Sequence, residues 1–278
     1  MTKILQILLN YVVKFSKKFN NIIILNHNNI NIEDYPEKNW YFIPYPQQKG
    51  LPWNSDNMTT VNRRSFLNES LFQDAKNIAE DRWGDIFNKR DISWRLHIFL
   101  WTISQSLLNS DIDKHIFIEC GTGKGYMAAA TTKYFNWDEK MPIFFLIDSF
   151  KSTQPNSNGE QNDNGEKLFV YADDDIEVRN YFSKYSNIEI ITGVIPNCLN
   201  LLPLNKKIKF LHLDLNFYRA EEEALEFLKI YLEKGCIILF DDFGGPGGEL
   251  QAEVHEKFAK NNSKNLLQLP TGQALIIW

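Results

Sequence analysis

Two groups of residues in this sequence have the types and spacing needed for chemistry. The first is a glycine-rich run, in which Gly121, Gly123 and Gly125 follow an apolar stretch ending in the acid Glu119. A strand, a glycine turn and a helix in this order let a nucleotide-like cofactor lie against bare backbone at a helix N-terminus. We therefore expect a cofactor site at this turn.

The spacing of the glycines discriminates between cofactors. A dinucleotide fingerprint, G-x-G-x-x-G/A, needs a small residue where this chain has Tyr126, so a nicotinamide or flavin cofactor is disfavoured. The spacing E-x-G-x-G-x-G instead resembles the cofactor loop of class I S-adenosylmethionine (SAM) methyltransferases. SAM carries an ammonium and a sulfonium, for which Glu119 is a suitable neighbour. A second acid for the ribose hydroxyls is expected roughly 20 residues further on, and Asp148 ends the next apolar strand.

The predicted cofactor-binding residues are Glu119, Gly121, Thr122, Gly123, Gly125, Tyr126, Asp148 and Ser149.

The second group consists of acids at the ends of two later strands. Asp214 ends one, and Asp241 and Asp242 end another. Carboxylates at the carboxyl ends of neighbouring parallel strands converge and repel unless a cation compensates them. Mg²⁺ prefers such oxygen ligands, so these three acids are the predicted metal ligands. The alternative is that individual acids cap the helices that follow.

A metal beside SAM indicates methyl transfer to a hydroxyl whose proton must be removed. Asp214 is the predicted general base. His212 is the second catalytic candidate, although a histidine on a strand is more typical of a buried, hydrogen-bonded core residue. His255 is predicted to lie on a helix face.

The elements that must position these residues follow a regular alternation. Strands are predicted at 116–119, 143–148, 188–191, 209–214 and 236–241, and helices at 94–108, 124–135, 174–185, 219–232 and 248–260. Segments 266–269 and 274–278, joined by a short Pro-Gly turn, must be antiparallel. The predicted fold is α/β: a doubly wound, mostly parallel, seven-stranded Rossmann-like sheet with an antiparallel C-terminal hairpin.

We expect two regions, an N-terminal helical and irregular extension (1–91) and a catalytic domain (92–278). Within the extension, Ile4 to Phe15 predicts an amphipathic helix that packs on the body or a second subunit, or alternatively contacts a membrane surface. The Pro- and aromatic-rich segment 34–56 is expected to cover the core or to form a substrate wall. The polar loop 152–167 is expected either to cover the cofactor or to be simply solvated.

Composition excludes several classes of protein. The 278 residues are 44% hydrophobic and 23% charged with a net charge of −5, which disfavours nucleic-acid binding. The apolar N-terminal stretch is too short to span a bilayer. Three scattered cysteines predict reduced core residues in a cytoplasmic protein. A homo-oligomer is compatible with the sequence.

Four motifs together suggest a narrower family. They are L-H-L-D-L-N-x-Y (211–218), A-L-E-F (224–227), G-C-I-I-L-F-D-D-F-G (235–244) and L-P-T-G-Q-A-L-I-I (269–277). Over residues 92–278 the chain resembles the macrocin O-methyltransferase family, which is class I, Mg²⁺-dependent and acts on sugar hydroxyls. The resemblance implies metal binding by Asp214, Asp241 and Asp242, and SAM contacts by Glu119, Gly121 and Asp148. The chain departs from some members at Asn216, where they carry a further acid.

The sequence thus predicts a SAM- and Mg²⁺-dependent O-methyltransferase acting on a hydroxyl of a sugar, a glycoside, or a surface-glycan or natural-product precursor. One alternative is a methyltransferase for another small acceptor, including nitrogen. Another is a non-catalytic binding module that keeps the fold.

Overall fold

The computed structural model describes residues 53–56, 58–60, 62–83, 91–108, 110–151, 175–244 and 248–278. The chain divides into two units, Met1–Asn54 with Thr59–Asn62, and Ser55–Met58 with Arg63–Trp278. The predicted helix at Ile4–Phe15, most of segment 34–56 and the polar loop 152–167 lie outside the described residues. None of the helices in the described ranges is both long and apolar enough to cross a membrane.

The second unit is organised around one large sheet. Two three-residue strands, β1 (Trp53–Ser55) and β2 (Met58–Thr60), form a separate small sheet. The large sheet contains β3 (His115–Cys120), β4 (Ile143–Asp148), β5 (Ile188–Thr192), β6 (Lys207–Leu213), β7 (Leu232–Phe240), β8 (Leu266–Gln268) and β9 (Ala274–Ile277). Its order is β5-β4-β3-β6-β7-β9-β8, in which β9 runs antiparallel to both neighbours. The predicted doubly wound sheet with a closing antiparallel hairpin is confirmed.

Helices cover both faces of this sheet. They are α1 (Ser70–Trp83), α2 (Ser93–Leu107), α3 (Tyr126–Tyr134), α4 (Ile176–Phe182), α5 (Tyr218–Leu228) and α6 (Glu249–Asn261), with 3₁₀ turns at Ser65–Asn68, Asn197–Leu201 and Lys229–Tyr231. Successive strand residues face opposite cores, so Phe117 packs in the core beneath α1–α4 while Ile116 and Ile118 pack in the core beneath α5 and α6. Cys120, Cys198 and Cys236 are buried free thiols, as predicted.

The largest difference from the predicted boundaries is at β7. The sequence pattern started this strand at 236, but β7 begins at Leu232, and α5 ends at Leu228 with a 3₁₀ turn after it. Gly235 has a φ of 78° and lies where the pairing of β6 with β7 shifts register. The predicted strand begins just after Gly235, whereas this glycine marks a bulge inside the strand.

Candidate active site

The glycine-rich turn joins β3 to α3, and its glycines are needed for conformation and for close packing. Gly121, Gly123 and Gly125 have φ values of 90°, 51° and 74°, which favour glycine. A Cβ at Gly121 would lie 1.8 Å from the carbonyl oxygen of Asp214, and one at Gly125 would lie 2.7 Å from the ring of Phe182. Gly121 therefore lets the end of β3 approach Asp214, the residue that follows β6.

Asp148 anchors the turn from the neighbouring strand. Its Oδ2 accepts a hydrogen bond from the N–H of Gly123 at 2.7 Å, and its Oδ1 accepts one from the N–H of Phe150 at 2.8 Å. Burial raises the pKa of Asp148, against the lowering effect of these backbone N–H groups and that of Ser149. The carboxylate remains partly exposed beside the turn.

Glu119 is buried behind the turn, at 2% exposure. Its Oε2 accepts a hydrogen bond from the hydroxyl of Thr122 at 2.5 Å, and its Oε1 lies 3.1 Å from Nδ1 of His212 on β6. The acid that precedes the glycines thus fixes the first residues of the turn and links them to the next strand.

His212 lies between two carboxylates. Its ring is fully buried against Phe99, with Nδ1 at Glu119 and Nε2 3.7 Å from Oδ1 of Asp241. Burial disfavours a charged ring, but Asp241 and Glu119 outweigh it and raise the pKa of His212 to about 10. A ring protonated at neutral pH has no lone pair with which to accept a proton, which argues for an electrostatic role and against a general base.

Two of the three predicted acids, Asp214 and Asp241, meet at the carboxyl ends of β6 and β7. Ligand atoms of His212, Asp214 and Asp241 all lie within 4.8 Å of one another. Asp214 is partly exposed, and burial together with the charges of Asp241 and Asp242 raises its pKa well above the usual range. Asp242, the next residue along, is also partly exposed. Asp214 and Asp241 therefore converge with His212, while Asp242 lies next to Asp241 in the chain and is not part of that group of ligand atoms.

Arg95 on α2 was not found by the sequence reasoning. Its Nη1 donates to Oδ2 and to the carbonyl of Asp241, both at 2.7 Å, its Nε donates to Oδ2 of Asp56 at 3.1 Å, and its Nη2 donates to the carbonyl of Thr271 at 2.9 Å. Burial would raise the pKa of Asp241, but Arg95 and His212 hold it well below its usual range. The sequence signal that could have identified Arg95 is its position four residues before Phe99, which places a charged side chain on the apolar face of a helix.

The turn Pro270–Gln273 contacts the residues that follow β7. The side-chain amide of Gln273 donates to Oδ1 of Asp241 at 2.8 Å, and the Gln273 Oε1 accepts from the hydroxyl of Thr271. The N–H groups of Phe243 and Gly244 both donate to the Gly272 carbonyl at 2.8 Å. This turn therefore holds Asp241 and the residues that follow it.

His255 lies away from this cluster. It is fully buried on α6, stacks on Phe240, and places Nε2 2.5 Å from Oε2 of Glu221 on α5. The prediction that His255 lies on a helix is confirmed. The helix face that carries it packs in the core beneath α5 and α6.

The sheet order and the glycine turn define a class I SAM-dependent methyltransferase fold. The Macrocin-O-methyltransferase (TylF) family model matches residues 99–267, and the chain belongs to this family. It is accordingly a SAM-dependent O-methyltransferase. A search of curated proteins finds no match.

Solved structures with the same fold differ widely from this chain in sequence. The chain is similar to CalS11, described as a calicheamicin methyltransferase, with 14% identity, 84% of this chain and 99% of that chain covered and a TM-score of 0.53. It is also similar to the O-methyltransferase NovP, with 15% identity, 66% and 78% covered and a TM-score of 0.52. The SAH-bound Podospora anserina methyltransferase PaMTH1 shares 16% identity over 76% and 88%, with a TM-score of 0.50. At these identities the likeness establishes the fold.

Proposed function

We propose that this protein transfers the methyl group of SAM to a hydroxyl of a sugar, as part of a glycoside, a surface glycan or a natural-product precursor, with Mg²⁺ held at the acid cluster. Membership in the macrocin O-methyltransferase family supports the acceptor class. The observation that carries the proposal is the contact of Gly121 with Asp214. It makes the glycine turn and the acid cluster parts of one site.

The residues around the turn fit SAM. Asp148 is partly exposed and is the candidate partner of the ribose hydroxyls. Glu119 would act mainly through its charge, because both its oxygens already have partners in Thr122 and His212. The candidate contacts with the rest of the cofactor are Gly121, Thr122, Gly123, Gly125, Tyr126 and Ser149.

The acid cluster fits a hard divalent cation. Asp214, Asp241 and Asp242 offer the oxygen donors that Mg²⁺ prefers. The raised pKa of Asp214 supports the assignment, because burial and the nearby charges of Asp241 and Asp242 both disfavour its ionised form, which a bound cation would stabilise. His212 belongs to the same group of neighbouring ligand atoms, but its two ring nitrogens face the carboxylates of Glu119 and Asp241, so we assign it to holding those acids.

The roles of the side chains follow from their charges and exposure. SAM supplies an electrophilic methyl group when bound. Asp214 is the candidate general base as well as a ligand, since it is partly exposed and follows β6 directly beside the cofactor turn. Arg95 and Gln273 fix the Asp241 carboxylate from two sides. His212, placed between Glu119 and Asp241, would link the cofactor turn to the acid cluster.

The first experiment is a calorimetric titration of the purified protein with SAM, with Mg²⁺ and again with chelator. It is followed by transfer of labelled methyl groups to a panel of sugar nucleotides and glycosides. Asp242→Asn tests the metal site, and Asp113→Asn, which changes an exposed acid in the turn before β3, is the matched control. We expect turnover to need Mg²⁺ and to be lost only in Asp242→Asn. Full turnover in the presence of chelator would refute the proposed role of Mg²⁺. Methyl transfer only to amine acceptors would refute the proposal that the acceptor is a sugar hydroxyl.

A further inference from the structure

We propose that Arg82 is a positioning residue for the cofactor turn, an inference that rests on the proposed SAM site. Arg82 lies in the last turn of α1, which precedes the family-matched segment. Its Nε and Nη2 both donate to the carbonyl oxygen of Lys124, at 2.9 and 2.6 Å. Lys124 lies within the glycine turn, between Gly123 and Gly125.

The geometry of Arg82 is that of a clamp. Its side chain is 9% exposed, and the guanidinium carbon lies 4.5 Å from the centroid of the Tyr181 ring. Its remaining nitrogen, Nη1, donates to Oε1 of Glu177 at 3.0 Å. The next residue, Trp83, packs edge-on against Tyr126 with ring centroids 4.0 Å apart. The end of α1 thus contacts both the turn and the first residue of α3.

The turn needs such a contact because of its composition. Glycines with positive φ have wide conformational freedom when unrestrained. The bonds to Ile147 and Asp148 hold the turn at Gly121, Thr122 and Gly123. Arg82 holds the following residue through charge-assisted bonds, which are among the stronger hydrogen bonds in proteins.

A fixed turn binds its ligand more tightly than a mobile one, because the ordering is complete before the ligand arrives. We expect Arg82→Met to weaken SAM binding roughly tenfold, which corresponds to the worth of about one hydrogen bond to a charged group. The methionine keeps an apolar contact with Tyr181. The effect should appear as a raised Kd and KM for SAM with little change in kcat, since the acid cluster is not altered.

The test compares SAM affinity in four proteins by calorimetry, with circular dichroism and thermal unfolding as checks on folding. Arg82→Lys keeps the charge but loses the two-pronged donor, so we expect intermediate affinity. Glu177→Gln is the matched control, because it weakens only the bond to a residue whose side chain is 63% exposed and leaves both bonds to Lys124. We expect wild-type affinity in this control.

The outcomes separate this inference from the proposed function. A wild-type protein that is folded but does not bind SAM refutes both. If the wild type binds SAM and folded Arg82→Met binds it equally well, only the positioning role of Arg82 is refuted. Equal weakening in Glu177→Gln would also refute the clamp, since the ion pair would then be responsible. If Arg82→Met does not fold, Arg82→Lys decides: wild-type affinity refutes the clamp, and weaker binding at unchanged thermal stability supports it.

Discussion

Replacing Arg95 with methionine should destabilise the fold by leaving buried carboxylates without their cation. The guanidinium contacts the carboxylates of Asp56 and Asp241, both of which are buried. Removing one member of a buried ion pair costs about 3–5 kcal/mol, because the partner keeps its charge without compensation. We apply this figure to Asp241 as the main cost, and Asp56, which is also buried but lies in a turn between two short strands, adds a smaller one.

The expected loss is a large fraction of the stability of an ordinary protein, which is about 5–15 kcal/mol. For a domain of this size each kcal/mol lowers Tm by about 2–4 °C, so Arg95→Met should melt about 6–20 °C below the wild type. Urea denaturation without metal or SAM gives the free energy of unfolding directly. Asp56→Asn is the control, because it keeps the pair between Arg95 and Asp241. The double variant Arg95→Met with Asp56→Asn should recover part of the loss, since one uncompensated charge is gone.

The dependence on pH identifies the cause. In the wild type, the depressed pKa of Asp241 contributes stability that is present above the unfolded-state pKa and is lost as pH falls through the folded-state pKa. Without Arg95, only the weaker effects of His212 and Gln273 oppose burial, so the pKa of Asp241 should rise, and acid should neutralise the carboxylate and relieve its cost. The difference in the free energy of unfolding between wild type and Arg95→Met should therefore become smaller as pH falls from about 7 to about 4.5. A loss below about 1 kcal/mol, or a loss independent of pH, would refute this account of Arg95.

Three further outcomes are expected. Gly121→Ala should cost about 1–3 kcal/mol in thermal or urea unfolding and reduce turnover, because its Cβ would meet the Asp214 carbonyl; unchanged stability would contradict the packing role. Asp148→Ala should weaken SAM binding about tenfold in calorimetry, since it removes the ribose acceptor and the bond to Gly123; unchanged affinity would remove Asp148 from the site. Asp241→Asn combined with Asp242→Asn should abolish metal-dependent turnover while SAM still binds, and metal-dependent turnover that persists would exclude these acids as ligands.

The sheet was predictable from the sequence because its signals are local. The strand containing Phe117 and the strand ending at Asp148 are continuous apolar runs, as expected of strands covered on both faces. The short Pro-Gly turn left only an antiparallel closure for the last two strands, which the structure has. The convergence of Asp214 and Asp241 followed from their positions at strand ends, and the structure brings their carboxylates together.

The partners of those acids were not predictable in the same way. Arg95 and Asp241 are separated by 146 positions, and only the packing of α2 over the end of β7 brings them together. The role of Gly121 in close packing also depends on Asp214, which is distant in sequence. The Gln273 side chain was visible as part of a motif, but its bond to Asp241 depends on how the last turn folds back over the sheet.

These partners alter the argument for a cation at the acid cluster. The sequence argument treated three converging acids as uncompensated, but Asp241 has Arg95 bonded to one oxygen, and a protonated His212 lies near the other. Asp241 therefore does not need a metal for its burial to be tolerated. Asp214 differs, because burial and the charges of Asp241 and Asp242 raise its pKa well above the usual range. The electrostatic case for a divalent ion thus rests on Asp214, with Asp241 as the member of the cluster that the protein itself holds in place.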